Sequence, residues 1–299
     1  MWPQAQPTPA TSVPPSFLST RALLARGLTR RQIDRCVSDG RLLRVRNGRY
    51  LPHGTHQEVL RVARLGGRVD CITLLRMLGV FVLDSGRLHI QVSPGSSRLP
   101  KRPPGVVCHW RESPVGREDL CADIIGALAQ ACRCQEPRAA IATLDSAWHL
   151  GLVDEDGISA VFALLPRRFR GLRSLLDPRS EAGSETIMRL MLRMLGCGVE
   201  VQATIAGVGR VDFVVDGWLI IECDSEAHHS GWAAQKRDRR RDLAAARLGY
   251  TTIRPIAEDI LFHREQTFAS LKTILSTRAA WIAAQNSSSK RARGRSRPV

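Results

Sequence analysis

The sequence predicts an α/β protein: a core of strands and helices at the C-terminal end, preceded by a small basic helical unit with a hairpin and by a connector of α+β and helical character. Three observations carry that prediction. Residues 210–226, RVDFVVDGWLIIECDSE, hold two short apolar runs around Asp-Gly, the pattern of paired strands. Residues 117–175 repeat apolar positions at three-to-four spacing, the pattern of helices. Residues 18–51 set two short glycine-closed helical segments before an Asn-Gly hairpin.

The chain has 299 residues, enough for two or three domains, and 43% of them are hydrophobic, enough for proper cores. Its 44 lysines and arginines outnumber 28 acids, for a net charge of +16, which points to a polyanionic partner and above all to nucleic acid. No apolar run reaches the length of a bilayer span, and MWPQAQPTPATSVPP lacks the basic start and apolar centre of a signal peptide, so a cytoplasmic protein is expected. The eight cysteines (36, 71, 108, 121, 132, 134, 197 and 223) show no C-x-x-C pair, and free buried thiols are expected rather than zinc ligands or disulfides.

In chain order, residues 1–16 are rich in Pro, Thr and Ala and read as a disordered head. Residues 17–53 follow as one unit. LSTRALLARG and LTRRQIDRCVSDG are helices ended by Gly27 and Gly40, the second opened by a capping box of Thr29 and Gln32. RLLRVRNGRYL is a hairpin turning at Asn47-Gly48. Helix, turn, helix, hairpin is the order of a winged helix. Its nine arginines against two aspartates place Arg30, Arg31, Arg35, Arg46 and Arg49 where DNA phosphates or base edges would lie.

Residues 54–116 read as a small α+β unit, with helices at QEVLRVARL and ITLLRMLGV and strands at VFVL, RLHIQV and VVCHW. Residues 117–178 form a helical connector, in which Asp145 and His149, four apart, read as a local hydrogen bond. SETIMRLMLRMLG at 184–196 is an amphipathic helix with Glu185 in its first turn. The tail from 283, QNSSSKRARGRSRPV at its end, is basic and expected to be disordered.

The strand pair raises the central question, because Asp212, Glu222 and Asp224 interrupt runs that look buried on both sides. A two-residue loop mixes charged and apolar groups on both faces. A three-residue loop of Asp216, Gly217 and Trp218 pairs Val215 with Leu219, Phe213 with Ile221 and Val211 with Cys223, giving one apolar face. The other face then sets Val214 against Ile220, Asp212 against Glu222 and Arg210 against Asp224. Carboxylates this close repel unless a cation holds them, and Mg²⁺ or Mn²⁺ takes such oxygen ligands. A cation there can activate phosphodiester hydrolysis. Downstream, HHSGWAAQKRDRRRDLAAARLG is a helix with Lys236, Arg239 and Arg240 on one face, fit to run along a DNA backbone, and YTTIRPI is a further strand.

Residues 184–275 resemble the Vsr-like (very-short-patch-repair-like) endonuclease domain of the PD-(D/E)XK superfamily. The matching pieces are Ser184-Glu185, VQATIAGVGRVDFVV, LIIECDSEAHH, KRDRRRDLAAARLGY and TIRPI. The resemblance implies a restriction-endonuclease-like core over 179–278 with Glu185, Asp212 and Glu222 as the metal site. Asp224 stands where the superfamily more often has lysine, as a further ligand or to orient the attacking water. His228 or His229, Asp238 and Arg254 fall where the family carries the same residue types, and Ser225 where it often has glycine. Lys236 or a histidine is then left to stabilise developing charge. Residues 17–53 resemble the winged-helix domain of AbiEi-type antitoxins of type IV toxin-antitoxin systems. Together these imply a DNA endonuclease targeted by a winged helix. The alternative is a DNA-binding repressor or antitoxin, partnered by a toxin protein, whose nuclease fold is inactive.

Overall fold

A computed structural model describes residues 16–97, 99–224 and 232–294. The protein is mixed α/β, with three small sheets among the described residues, and its contacts divide it after Leu176 into two units.

The first unit opens with β1 (Leu18–Ser19), α1 (Thr20–Ala25), α2 (Arg30–Ser38), β2 (Leu42–Arg46) and β3 (Arg49–Pro52), the strands ordered β1-β3-β2. Local chemistry sets each boundary. Ser19 Oγ accepts from the Ala22 amide at the start of α1. Thr29 and Gln32 complete the expected capping box, each side chain accepting the other's amide at 3.3 and 2.7 Å. Gly27 and Gly40 stop the helices with φ of +87° and +71°, a left-handed conformation that costs glycine no Cβ clash. The hairpin turns at Asn47-Gly48, with Arg46 opposite Arg49. Leu23, Ile33 and Tyr50 close a small core beneath the two helices.

There follow α3 (Gln57–Leu65), β4 (Arg68–Val69), α4 (Cys71–Met77), β5 (Leu88–Val92), β6 (Val106–Trp110), α5 (Ile124–Cys134), α6 (Pro137–His149), α7 (Glu155–Ala163) and, after a short 3₁₀ turn, α8 (Arg170–Arg173). The sheet runs β4-β5-β6, with β5 and β6 parallel. VFVL at 80–83 is not a strand: Gly79 ends α4 at φ +80°, and the Phe81 amide donates to Ser146 Oγ instead of a neighbouring strand. One apolar core runs from Leu51 and Val59 through Ile90 and Leu128 to Phe162. The α+β stretch and the helical stretch therefore share a core, where a separate unit and connector were expected. Fully buried Asp70 pairs with Arg111 through both carboxylate oxygens, at 2.7 and 3.2 Å.

The second unit contains α9 (Gly183–Met194), β7 (Val199–Ile205), β8 (Gly209–Val215), β9 (Leu219–Ile221), α10 (Trp232–Arg247), β10 (Thr251–Ile253), α11 (Ala257–Phe262) and α12 (Arg264–Gly294). Its sheet is ordered β10-β9-β8-β7, antiparallel except for the β9–β10 pair. The register is the one the hydrophobic pattern requires, with Phe213 opposite Ile221, Val214 opposite Ile220 and Val215 opposite Leu219. Asp216 and Gly217 make the turn with φ of +47° and +72°. Phe213, Val215, Leu219 and Ile221 have no exposed surface. On the opposite face Val214 and Ile220 pack with Ala245 of α10, so this sheet is covered on both sides. Helical backbone continues to Gly294, through residues expected to lack regular structure; that stretch has no proline before Pro298 and is rich in good helix formers. Residues 1–15 and 295–299 lie outside the described residues. No helix among the described residues is long and apolar enough to cross a membrane.

Thr29→Ala removes half of the capping box and is expected to destabilise the N-terminal helical unit by about 1 kcal/mol, read as a lower urea midpoint for the transition that includes α2.

Candidate active site

Four acids anchor the site in the second unit. Glu185 comes from the first turn of α9, Asp212 from β8, and Glu222 and Asp224 from the chain just past β9. The Asp212 carboxylate accepts the Cys223 amide at 2.8 Å. Glu222 and Asp224 donate their amides to the carbonyls of Ile253 and Pro255. The β8–β9 ladder thus ends at Ile221, and the chain peels toward β10. The expected extension of the pairing, Asp212 to Glu222, Val211 to Cys223 and Arg210 to Asp224, does not form, because a side-chain carboxylate has taken the amide that would have continued it.

Glu185 is 6% exposed; one of its oxygens accepts the Glu181 amide at 2.9 Å and the Gln202 side-chain amide at 3.0 Å. Burial, with the charge of Asp212 behind it, lifts its pKa to about 7. Burial also raises Asp212, against the stabilising Cys223 amide, and Glu181 and Asp224 add to the rise. Glu222 is raised by burial too, opposed first by Arg241. Arg241 reaches the Glu222 carboxylate at 2.9 Å, and Arg254 stands 3.7 Å from the same oxygen while bonding Asp242 at 2.8 Å and Asp224 at 3.4 Å.

Gln202 lies across β7 from Asp212, between the pairs Val201–Phe213 and Ala203–Val211, with a left-handed φ of +53°. Its side-chain oxygen is buried without a hydrogen-bond partner. The site therefore has two acids, Glu185 and Asp212, with no ion pair to a described residue and one orphaned oxygen acceptor, the kind of donor set a hard cation takes. Their oxygens are spread, not drawn together. Among the described residues, the one set of three or more candidate ligands whose donor atoms all lie within 4.8 Å is elsewhere, Cys71, His89, His109 and Cys134 in the first unit.

Lys236 does not reach the acids. Its ammonium lies 5.9 Å over the ring of Trp232, and Arg239 lies 5.3 Å over the same ring, so with Arg240 they form an exposed basic face of α10. The cation at Glu222 is Arg241, which the sequence reading missed. The helical phase holds the clue, since Asp238, Arg241, Asp242 and the buried Ala245 fall on one side of α10. Gln202 was missed as well, because nothing in the sequence marks it. His228, His229 and Ser225 lie outside the described residues.

In the N-terminal unit, Arg30, Arg31 and Arg35 are exposed on α2, with no ion pair to any described residue. The other two expected DNA contacts are half-buried. Arg49 pairs with Glu118 at 3.0 Å and covers Phe17, and the Arg46 guanidinium lies so close over Gly66 that a Cβ there would stand 2.5 Å from it. No protein-family model matches the chain, and no curated protein matches it significantly.

The raised Glu185 fixes a pH dependence. Between its ordinary value of 4.5 and its folded value of about 7, the folded chain keeps a proton that the unfolded chain has released. Stability contributed by this group is thus complete below pH 4.5 and lost as pH rises through 7. In chelator, Glu185→Gln is expected to match the wild type at pH 4 and to exceed it by about 3 kcal/mol at pH 8 in urea unfolding.

Proposed function

We propose that this protein is a metal-dependent DNA endonuclease, cytoplasmic, with its hydrolytic site in the second unit and a winged-helix DNA reader at its N-terminus. The observation that carries the reading is the set of buried carboxyl groups, Glu185, Asp212 and Glu222, all pushed toward protonation beside the orphaned oxygen of Gln202. These residues fit Mg²⁺ or Mn²⁺, which take carboxylate and amide oxygens. Glu185, Asp212 and Glu222 would hold the ion, with the Gln202 oxygen a further donor. Such a cation supplies Lewis-acid polarisation of a phosphodiester. The order α9, β7–β8–β9, α10 and a parallel β10 supports the restriction-endonuclease-like core that the resemblance implies.

The remaining roles follow from the chain's own groups. Asp224, with its side chain half exposed, would take a proton from an attacking water. Arg241 and Arg254, which both face Glu222, would stand in for the superfamily lysine as donors to charge developing on phosphate. Trp232, Lys236, Arg239 and Arg240 offer an exposed basic and aromatic face to the sugar-phosphate backbone. Arg30, Arg31 and Arg35 give α2 its DNA face.

One observation favours the other reading, a repressor or antitoxin that binds DNA and a toxin without cutting. Glu222 already has its countercharge inside the protein, in Arg241.

Supercoiled plasmid distinguishes the two. With Mg²⁺ or Mn²⁺ the wild type is expected to nick or linearise it, EDTA, Asp212→Ala and Glu222→Ala to abolish cleavage, and Arg241→Ala to slow it about 100-fold. Plasmid binding without cleavage, on unmodified and mismatched DNA alike, would leave the repressor. Under either reading, replacing Arg30, Arg31 and Arg35 by alanine should flatten the slope of log affinity against log salt by about 3.

A further inference from the structure

Four side chains the endonuclease reading does not use meet in the first unit, three of them buried and Cys134 exposed. Cys71 is the first residue of α4, His89 lies on β5, His109 on β6, and Cys134 ends α5. His89 and His109 share a face of the parallel β5–β6 pair and sit on a diagonal, His89 opposite Val107 and His109 opposite Gln91. Their facing nitrogens, Nδ1 of His89 and Nε2 of His109, are 3.0 Å apart, and Cys134 Sγ lies 3.9 Å from the same His109 nitrogen. All four donor atoms lie within 4.8 Å of one another.

We propose that Cys71, His89, His109 and Cys134 bind one zinc ion that holds the first unit together. Two thiolate sulfurs and two imidazole nitrogens, with no carboxylate among them, are a donor set for tetrahedral zinc and the wrong one for magnesium. Zinc bonds of about 2.0–2.1 Å to nitrogen and about 2.3 Å to sulfur set tetrahedral neighbours about 3.3 to 3.8 Å apart, so closing the set takes shifts of about 1 Å or less. Without an ion the donors are held by hydrogen bonds alone. Cys71 is fully buried and His89 2% exposed, and two imidazole nitrogens that face each other can share only one proton. A divalent cation uses all four lone pairs at once.

Two further observations point to ligation. Cys71 has a φ of +54°, a left-handed conformation that a residue with a Cβ adopts only where its surroundings insist, and here it keeps the thiol in the cluster. Gln130, one helical turn before Cys134, donates its side-chain amide to Cys134 Sγ at 3.4 Å, as groups around metal thiolates do. Four protein donors leave no open position for substrate, so the ion joins α4, β5, β6 and α5 and performs no chemistry of its own.

The proposal is independent of the acidic site, and its test reads metal and spectrum, not cleavage. Full-length protein purified under reducing conditions without chelator is analysed for metal content, and protein stripped of metal is titrated with Co²⁺. The expected results are one zinc per chain and a tetrahedral cobalt spectrum with thiolate charge-transfer bands. Stripping should lower the melting temperature, and Zn²⁺ but not Mg²⁺ should restore it. Cys134→Ser and His109→Gln should lose the metal, while Cys132→Ala, which removes the buried thiol two residues from Cys134, should keep it. Should the variants fail to fold, the wild-type cobalt spectrum decides alone. The proposal is overturned if the protein holds no zinc and gives no tetrahedral spectrum, if Cys71 and Cys134 are found joined as a disulfide without metal, or if Cys132→Ala loses the metal as Cys134→Ser does.

Discussion

Carboxyl groups set into a sheet that is covered on both faces form the constraint around which the second unit is organised. A carboxylate beside Phe213 and Val214 has little water to turn to, so it must find donors nearby or keep its proton. Asp212 finds one in the Cys223 amide, and that single bond separates β9 from β8 and sends the chain to β10. Glu222 and Asp224, released from the ladder, then stand within reach of Arg241 and Arg254. The local topology and the electrostatics of the site have the same cause.

Net charge overstates what the protein can offer DNA. Arg49 is spent on Glu118, Arg68 on Gln91 and two carbonyls, Arg111 on Asp70, and Arg241 and Arg254 on the acids of the candidate site. The arginines left exposed include Arg30, Arg31 and Arg35 on α2 and Arg239 and Arg240 on α10, with others, such as Arg61, Arg87, Arg117 and Arg193, spread over both units. A guanidinium has five donors in a planar fork, which suits it to bridging several acceptors inside a fold, so an arginine-rich sequence need not mean a uniformly basic surface.

What the sequence made legible was whatever local rules govern. The three-residue turn at 216–218 followed from hydrophobic alternation, the α2 start from Thr29 and Gln32, and the hairpin from Asn47-Gly48. Three of the four acids sit within thirteen residues, so their proximity could be argued from strand geometry alone. Arg241 and Gln202 escaped because their importance depends on which face of α10 meets the sheet and on an unusual backbone angle in β7. VFVL misled because strand-like composition does not supply a strand partner. The Cys/His cluster was invisible for the plainest reason: its members stand at 71, 89, 109 and 134, far apart and without a short motif, and only the folding of two helices onto two parallel strands brings them together.

The parallel pairing of β9 with β10 has a consequence for the order in which the second unit is completed during synthesis. Glu185 and Asp212 leave the ribosome early, but the amides of Glu222 and Asp224 find their acceptors only in Ile253 and Pro255. A parallel neighbour cannot be reached by a tight turn, so the whole of α10 must be made before this contact closes. A nascent or prematurely ended chain that stops short of β10 carries all four acids but not the strand that fixes two of them, and the site is assembled only once the domain itself is nearly whole.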